Sequence, residues 1–420
     1  MDHPHIAILG AGPVGIEAAL AAHDAGFGFT VYERTGAVGG NIRSWGHVRL
    51  FTPWTMNVSP RARRHLAAAG SSSLDGDECP TGADLVSELL EPVAALPYMA
   101  PNLRFGDAVV EVGREGVLKN DEIGTGRRSG LPFRILVREA NGAERLDHAD
   151  AVLDCTGTYH NPNSLGDGGI HAPGERAAAP FIVRRIPDVR SEPEVWAGRR
   201  ILLVGAGHSA QTAARDFARL AEAHPGTRII WAIRSSEPTF GAVVDDPLPA
   251  RARLVAEARR LAFADSGSVK ALRGVVVESL RPAENAVAVT LRTTTRDPRA
   301  MSTGGGAAGS SVVEVDRIVS LTGAVGEHTL YRQLQVHECW ATQAPMKLAA
   351  ALLDSTSEDC LAQTSHGADT LVNPEPEFFL LGSKSYGRNS TFLLRIGWEQ
   401  VNDVFAMLSE RFTVRAGRAG

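Results

Sequence analysis

The chain has 420 residues, 44% hydrophobic and 22% charged, with 43 basic against 48 acidic side chains and a formal net charge of −5. That length allows two or three domains with large cores that need no disulfide staples. The slightly acidic balance argues against nucleic acid or an anionic membrane as the main partner, since either calls for a basic face.

No stretch reaches the roughly 18 to 20 uninterrupted apolar residues of a membrane span. Met1-Asp2-His3-Pro4 runs directly into an apolar segment, without the basic and apolar regions of a secretory signal. Cys79, Cys155, Cys339 and Cys360 include no CxxC and are too few for a disulfide framework. They are expected to be buried, inert thiols of a cytoplasmic protein. His337-Glu338-Cys339 has no second pair at ligand spacing, so no metal site is expected.

Ile6–Leu9 reads as a buried parallel strand. Gly10-Ala11-Gly12-Pro13-Val14-Gly15 follows, then an alanine-rich helix closed by Gly26, a strand from Phe29 to Tyr32, and Glu33. This strand, glycine turn, helix, strand, acid order predicts a dinucleotide site. Gly10 permits the tight turn, Gly12 and Pro13 bring the backbone to a pyrophosphate at the helix N-terminus, and Gly15 lets helix and strand pack closely. Glu33 is placed to accept from ribose hydroxyls.

The pattern recurs. Ile201–Val204 leads into Gly205-Ala206-Gly207-His208-Ser209-Ala210, a helix to Ala223, and a strand from Arg228 to Ile233. Arg234 and Ser235 stand where the first motif has its acid, a pairing suited to a 2′-phosphate and hence to NADPH. Thr156-Gly157 and Thr322-Gly323 each end an apolar strand, as if one architectural unit were used twice. The polar stretches Asn120 to Gly130 and Ser302 to Ser311 read as long loops on small antiparallel sheets.

On these residues the chain resembles the two-dinucleotide-binding-domain flavoproteins, as an outlying relative of flavin-containing and Baeyer–Villiger-type monooxygenases and of thioredoxin-reductase-like enzymes. Glu33-Arg34 with Gly39-Gly40 and Trp45 is similar to the monooxygenase branch, and Gly205–Ala210 to the NADPH half of the family. The resemblance implies an α/β fold of two Rossmann-like, three-layer domains. FAD would be held by a discontinuous domain, 1–180 plus 325–420, and NADPH by an inserted domain, 181–324. Phe378–Gly382 is similar to the last FAD-domain strand, with Gly397 to Leu408 as the closing helix. Ser383 stands where most relatives carry an Asp that contacts the flavin.

The resemblance also frames the chemistry. Without a CxxC, dithiol exchange has no obvious agent. A monooxygenase would pass hydride from NADPH to flavin and form an oxygen adduct of the ring, kept dry by the protein. Trp45, His47 and Arg49, in an aromatic run ending at Trp54, are the expected substrate-pocket residues. Pro80-Thr81 is expected to cap a helix beside that run. Lys384 and Arg388 are candidates to balance an anionic reduced flavin or a substrate carboxylate. The region before Gly205 departs from the branch's FxGxxxHxxx pattern, reading Phe181-Ile182-Val183-Arg184-Arg185-Ile186-Pro187-Asp188-Val189-Arg190. An NADPH-dependent flavin reductase and a non-catalytic redox sensor are the alternatives. The implied partners are a small-molecule substrate and O2, with a homodimer compatible, and neither nucleic acid nor membrane.

Overall fold

Ile6, Ala7, Ile8 and Leu9 are at most 1% exposed, which a strand covered on both faces requires. They belong to β1 (His5–Leu9), at the centre of a parallel sheet. Its neighbours are β2 (Gly28–Glu33), β3 (Leu103–Phe105), β7 (Ala151–Asp154) and β16 (Phe378–Leu380), in the order β16-β7-β1-β2-β3. The computed structural model describes residues 3–71, 73–264, 267–294, 309–354, 359–363 and 365–419.

Strand periodicity sorts this sheet's side chains into two cores. Ile6, Ile8, Val31, Leu153 and Phe379 face helices Pro13–Asp24 and Leu394–Ala419. Ala7, Leu9, Tyr32, Val152 and Phe378 face an antiparallel sheet of β4 (Ala108–Arg114), β5 (Phe133–Arg138) and β6 (Glu144–Ala149). The result is three layers: helices, parallel sheet, antiparallel sheet.

The second unit repeats the plan. β8 (Ile182–Val183), β9 (Arg200–Val204), β10 (Arg228–Ile233), β11 (Val269–Arg273) and β15 (Arg317–Ser320) form a parallel sheet ordered β11-β10-β9-β15-β8. Ile201, Leu203, Trp231 and Val319 pack with residues of helices His208–Ala223 and Pro249–Ala262. Leu202, Ala232 and Ile318 pack with the antiparallel sheet of β12 (Val275–Pro282), β13 (Val287–Thr293) and β14 (Ser310–Val315).

By contacts, Met1–Asn161 with Ala324–Gly420 make one compact unit and Pro162–Gly323 the other. The second unit thus begins at Pro162, earlier than the expected 181. Residues 162–181 are tied into it because Gly166 bridges Val277 and the Glu175 carboxylate accepts from the Leu165 and Ala172 N–H groups and from Arg184. Where the chain crosses, Val325 N–H donates to Asn161 O in the first unit and Asn163 N–H to Gly323 O in the second, at 3.1 and 2.9 Å. The closing helix starts at Leu394, three residues before the expected Gly397. The 120–130 stretch joins β4 to β5 as expected, whereas 302–308 lie outside the described residues.

Candidate dinucleotide sites

Both glycine turns follow the central strand of their sheet, at its carboxyl end, where open α/β sheets take their ligands. In the first, Gly10 has φ +97°, which an L side chain rarely adopts. A β-carbon on Gly15 would overlap Gly10 O, so helix and turn meet only because residue 15 has no side chain, and a β-carbon on Gly10 would come within 2.9 Å of Cys155 O. Gly12 caps the helix with Pro13 behind it, and a β-carbon there would meet nothing within 4 Å. That open approach to a helix N-terminus fits a pyrophosphate. Gly39 N–H donates to Ala11 O at 2.9 Å, which seats Gly39-Gly40 against the turn.

Glu33 is buried at the end of β2. Its carboxylate accepts from Ala11 N–H at 2.9 Å, Thr35 N–H at 2.9 Å and Thr35 Oγ1 at 2.8 Å. A carboxylate has about four acceptor sites, so one is left for a ligand hydroxyl. Arg34 is exposed beside it. Burial, and then the Arg34 charge, hold the His160 imidazole below its ordinary value.

Thr156-Gly157 and Gly382-Ser383 lie at the carboxyl ends of the adjacent strands β7 and β16. Gly382 and Gly397 both press on Val14, in the first turn of helix Pro13–Asp24. The glycine turn, the Thr-Gly turn, Ser383 and the start of the closing helix therefore meet at one sheet end. Lys384 takes a different place from the one expected. It is fully buried, with Nζ 2.6 Å from Asp154 Oδ2, so its charge goes to an internal partner rather than to a bound anion. Arg388 is exposed. Asp154 and Gln400 escaped the sequence reading. The signals were an acid ending the apolar run Ala151–Leu153 and a glutamine among the apolar helix positions Ile396, Val401 and Val404.

The aromatic segment is held by main chain. Leu50 N–H donates to Pro80 O, Trp54 N–H to Glu78 O, Gly82 N–H to Val48 O and Ala83 N–H to Gly46 O, at 2.8 to 3.0 Å. Arg49 also donates from Nη1 to Cys79 O. His47 and Arg49 are exposed. Trp45 lies nearly parallel to Tyr159, with ring centroids 6.2 Å apart, and its buried indole N–H has no hydrogen-bond partner among the described residues. Thr81 and Asp84 form a capping box at the start of the following helix.

In the second motif Gly205 has φ +129°, and a β-carbon there would overlap Leu321 O. Trp231 Nε1 donates to Gly205 O at 2.8 Å. Gly207 caps helix His208–Ala223 and, like Gly12, is open to approach. His208 lies half-buried in the first turn of that helix, Ser209 is exposed and Ala210 is fully buried. Arg234 is exposed just beyond β10, beside the half-buried Ser235. Thr322-Gly323 is fixed by Asn163, whose Nδ2 donates to Thr322 O at 3.0 Å and whose O accepts from Thr322 Oγ1 at 3.1 Å.

Of the four cysteines only Cys155 is buried; Cys79, Cys339 and Cys360 are partly exposed, against the expected burial, because each lies on a loop or a short turn. An open cavity of about 650 Å³ begins at the other end of the first sheet, at His5, and is lined by Thr30, Tyr32, Asp107, Arg145 and Asp147. Within it Arg145 pairs with Asp107, Glu139 and Asp147, and Tyr32 donates to Asp147. No helix among the described residues is long and apolar enough to cross a membrane.

No protein-family model matches the chain. Among curated proteins it is 27% identical over 239 residues to the flavin-containing monooxygenase FMO GS-OX-like 3 of Arabidopsis thaliana, covering 53% of this chain. The matching covers 51% of that protein, so the chain spans about half the length of the curated relative it matches. Solved structures align over almost the whole chain. A bacillithiol disulfide reductase of Bacillus cereus aligns with TM-score 0.66 and 15% identity, covering 97% of this chain and 99% of that one. An ornithine N-hydroxylase of Kutzneria sp. 744, solved with reduced FAD, NADP+ and L-ornithine, aligns with TM-score 0.64 and 15% identity, covering 98% and 100%. The thioredoxin reductase of T. acidophilum aligns with TM-score 0.56 and 13% identity, covering 97% and 99%. With two glycine turns on two parallel sheets, the chain has the fold of the two-dinucleotide-binding-domain flavoprotein oxidoreductases, the superfamily its motifs resemble.

Proposed function

We propose that the protein is an FAD- and NADPH-dependent oxidoreductase, and within that class a monooxygenase of a small organic substrate. The observation that carries the reading is the pair of like-built glycine turns with unlike chemistry at the next strand end. Glu33 suits ribose hydroxyls, and Arg234-Ser235 suits a 2′-phosphate. FAD would lie against Gly10, Gly12, Glu33, Gly157 and Ser383; NADPH would lie against Gly205, Gly207, Ser209 and Arg234. The flavin, when bound, supplies hydride acceptance and the reaction with O2. The chain's own part is to receive each pyrophosphate at a helix N-terminus and to wall the site with Trp45 and its neighbours. The likeness to a flavin-containing monooxygenase favours oxygenation. Four cysteines in 420 residues, too few for a disulfide framework, favour a reducing, cytoplasmic setting.

The alternative is an NADPH-dependent flavin reductase, favoured by the likeness to a bacillithiol disulfide reductase. One experiment separates them. The FAD-loaded protein is reduced anaerobically with NADPH, mixed with oxygenated buffer and followed by stopped-flow absorbance, with and without candidate amine and thioether substrates. A transient band to the blue of the oxidised flavin spectrum, with oxygenated product, is the expected result. Direct return of the oxidised spectrum under every condition would assign the reductase. A flavin that NADPH fails to bleach would overturn both.

A further inference from the structure

Behind the first glycine turn lies a buried ion pair that dinucleotide binding does not by itself require. Lys384 and Asp154 are both 0% exposed. Lys384 Nζ is 2.6 Å from Asp154 Oδ2 and 3.2 Å from Thr156 Oγ1. Thr156 donates both its N–H and its Oγ1–H to Asp154 Oδ1, at 3.1 and 2.6 Å. The lysine stem packs against Gly326, where a β-carbon would come within 2.5 Å of Lys384 Cγ. The Tyr331 ring lies 5.0 Å from Nζ. Such a pair adds little net stability, because desolvation offsets most of the Coulomb gain, and apolar residues of similar volume are often as stable. Its role is better sought in geometry.

Asp154 ends β7, and Lys384 lies in the turn after the neighbouring strand β16. The pair therefore ties the Thr156-Gly157 turn to residues 382–386. Gln400 of the closing helix holds the same residues by another route. Gly382 N–H donates to Gln400 Oε1 at 2.9 Å, Gln400 Nε2 to Ser385 Oγ at 2.9 Å, and Ser385 Oγ to Gly382 O at 2.7 Å. Clamped in this way, Gly382, Lys384, Ser385 and Tyr386 are all buried, and of residues 382–386 only Ser383 reaches the surface. A β-carbon on Gly157 would lie 3.7 Å from Ser383 Oγ.

We propose that Lys384, Asp154 and Gln400 are positioning residues that fix Ser383 Oγ and the Gly157 turn as one preformed rim of the first dinucleotide site, with Ser383 as the ligand contact. The proposal rests on reading that site as the FAD site. The rim is electrically neutral, because Asp154 balances the ammonium beneath it. It meets the cofactor with a hydroxyl rather than a charge.

The test is titration of the apoprotein with FAD, read by flavin fluorescence and visible circular dichroism, alongside thermal melting. The variants are Ser383→Ala, the double variant Lys384→Met/Asp154→Leu, and all three changes together. Ser383→Ala, at a partly exposed site, should weaken FAD binding about fivefold, the equivalent of one hydrogen bond. The double variant should melt close to the wild type, lose a similar factor in affinity and alter the flavin dichroism. The triple variant should lose no more than the double, because the pair acts through Ser383. An unchanged FAD affinity in Ser383→Ala overturns the proposal, as does a double variant with wild-type melting and wild-type affinity. If the double variant does not fold, Ser383→Ala alone decides. Wild-type protein that binds no FAD fails the site reading itself, before any variant is compared.

Discussion

His208 is the titratable side chain of the second glycine motif, in the first turn of the helix that Gly207 caps. Burial, and then the Arg251 guanidinium, hold its imidazole below the ordinary value, with Asp246 opposing them. Arg251 is itself buried and paired with Asp246 at 2.7 Å. A pyrophosphate arriving at this N-terminus would favour the charged imidazole, so the bound pKa would exceed the free one. Cofactor binding then takes up a proton. Affinity is greatest below the free pKa and is lost as pH rises through the bound one. NADP+ titrations across about pH 5 to 8 should show affinity falling with pH, and His208→Gln should flatten the profile. A wild-type affinity independent of pH over that range would refute this role. Sequence showed the histidine but not its partners, since Asp246 and Arg251 come from a loop and helix well beyond the motif. Lys384 was likewise visible as a cation, and only the fold supplied the carboxylate that takes its charge.

At the scale of elements, the Thr81 cap was readable because its chemistry is local: a threonine with an acid three residues on, just ahead of an apolar run. Thr81 Oγ1 accepts from Asp84 N–H at 3.1 Å, and Thr81 N–H donates to Asp84 Oδ2 at 2.8 Å. Thr81→Ala should cost about 1 kcal/mol in denaturant unfolding. Because Thr81 also bridges Arg49, the same change should speed amide exchange at Leu50 and Gly82. Unaltered exchange at both would separate the cap from the aromatic segment. Less readable was the path of this helical stretch. Its turns widen over Leu85–Leu90, immediately before Pro92, which has no N–H to continue the ordinary pattern. The pairing of residues 45–54 with 78–83 was not readable either, because main-chain hydrogen bonds leave no side-chain signature.

At the scale of the molecule, both parallel sheets were legible, because each central strand is an apolar run with a glycine turn behind it. What joins distant stretches was not. The polar 120–130 stretch buries Arg128, which with Arg114 pairs to Glu375 at 2.7 and 2.8 Å, across more than 240 residues of chain. Breaking a buried pair by removing one partner costs about 3 to 5 kcal/mol, so Glu375→Gln should lower the unfolding midpoint clearly. A midpoint unchanged from wild type would show that Arg114 and Arg128 find other acceptors. The crossing between the two units carries a consequence of its own. Asn161 meets Val325 and Asn163 meets Gly323, so the chain leaves and re-enters the first unit at neighbouring points. A segment whose two ends already lie side by side can be cut out and exchanged as a cassette, with a short bridge closing the gap. The nicotinamide-binding half proposed here is thus built like a replaceable part, open to recombination with homologous segments that prefer another reductant.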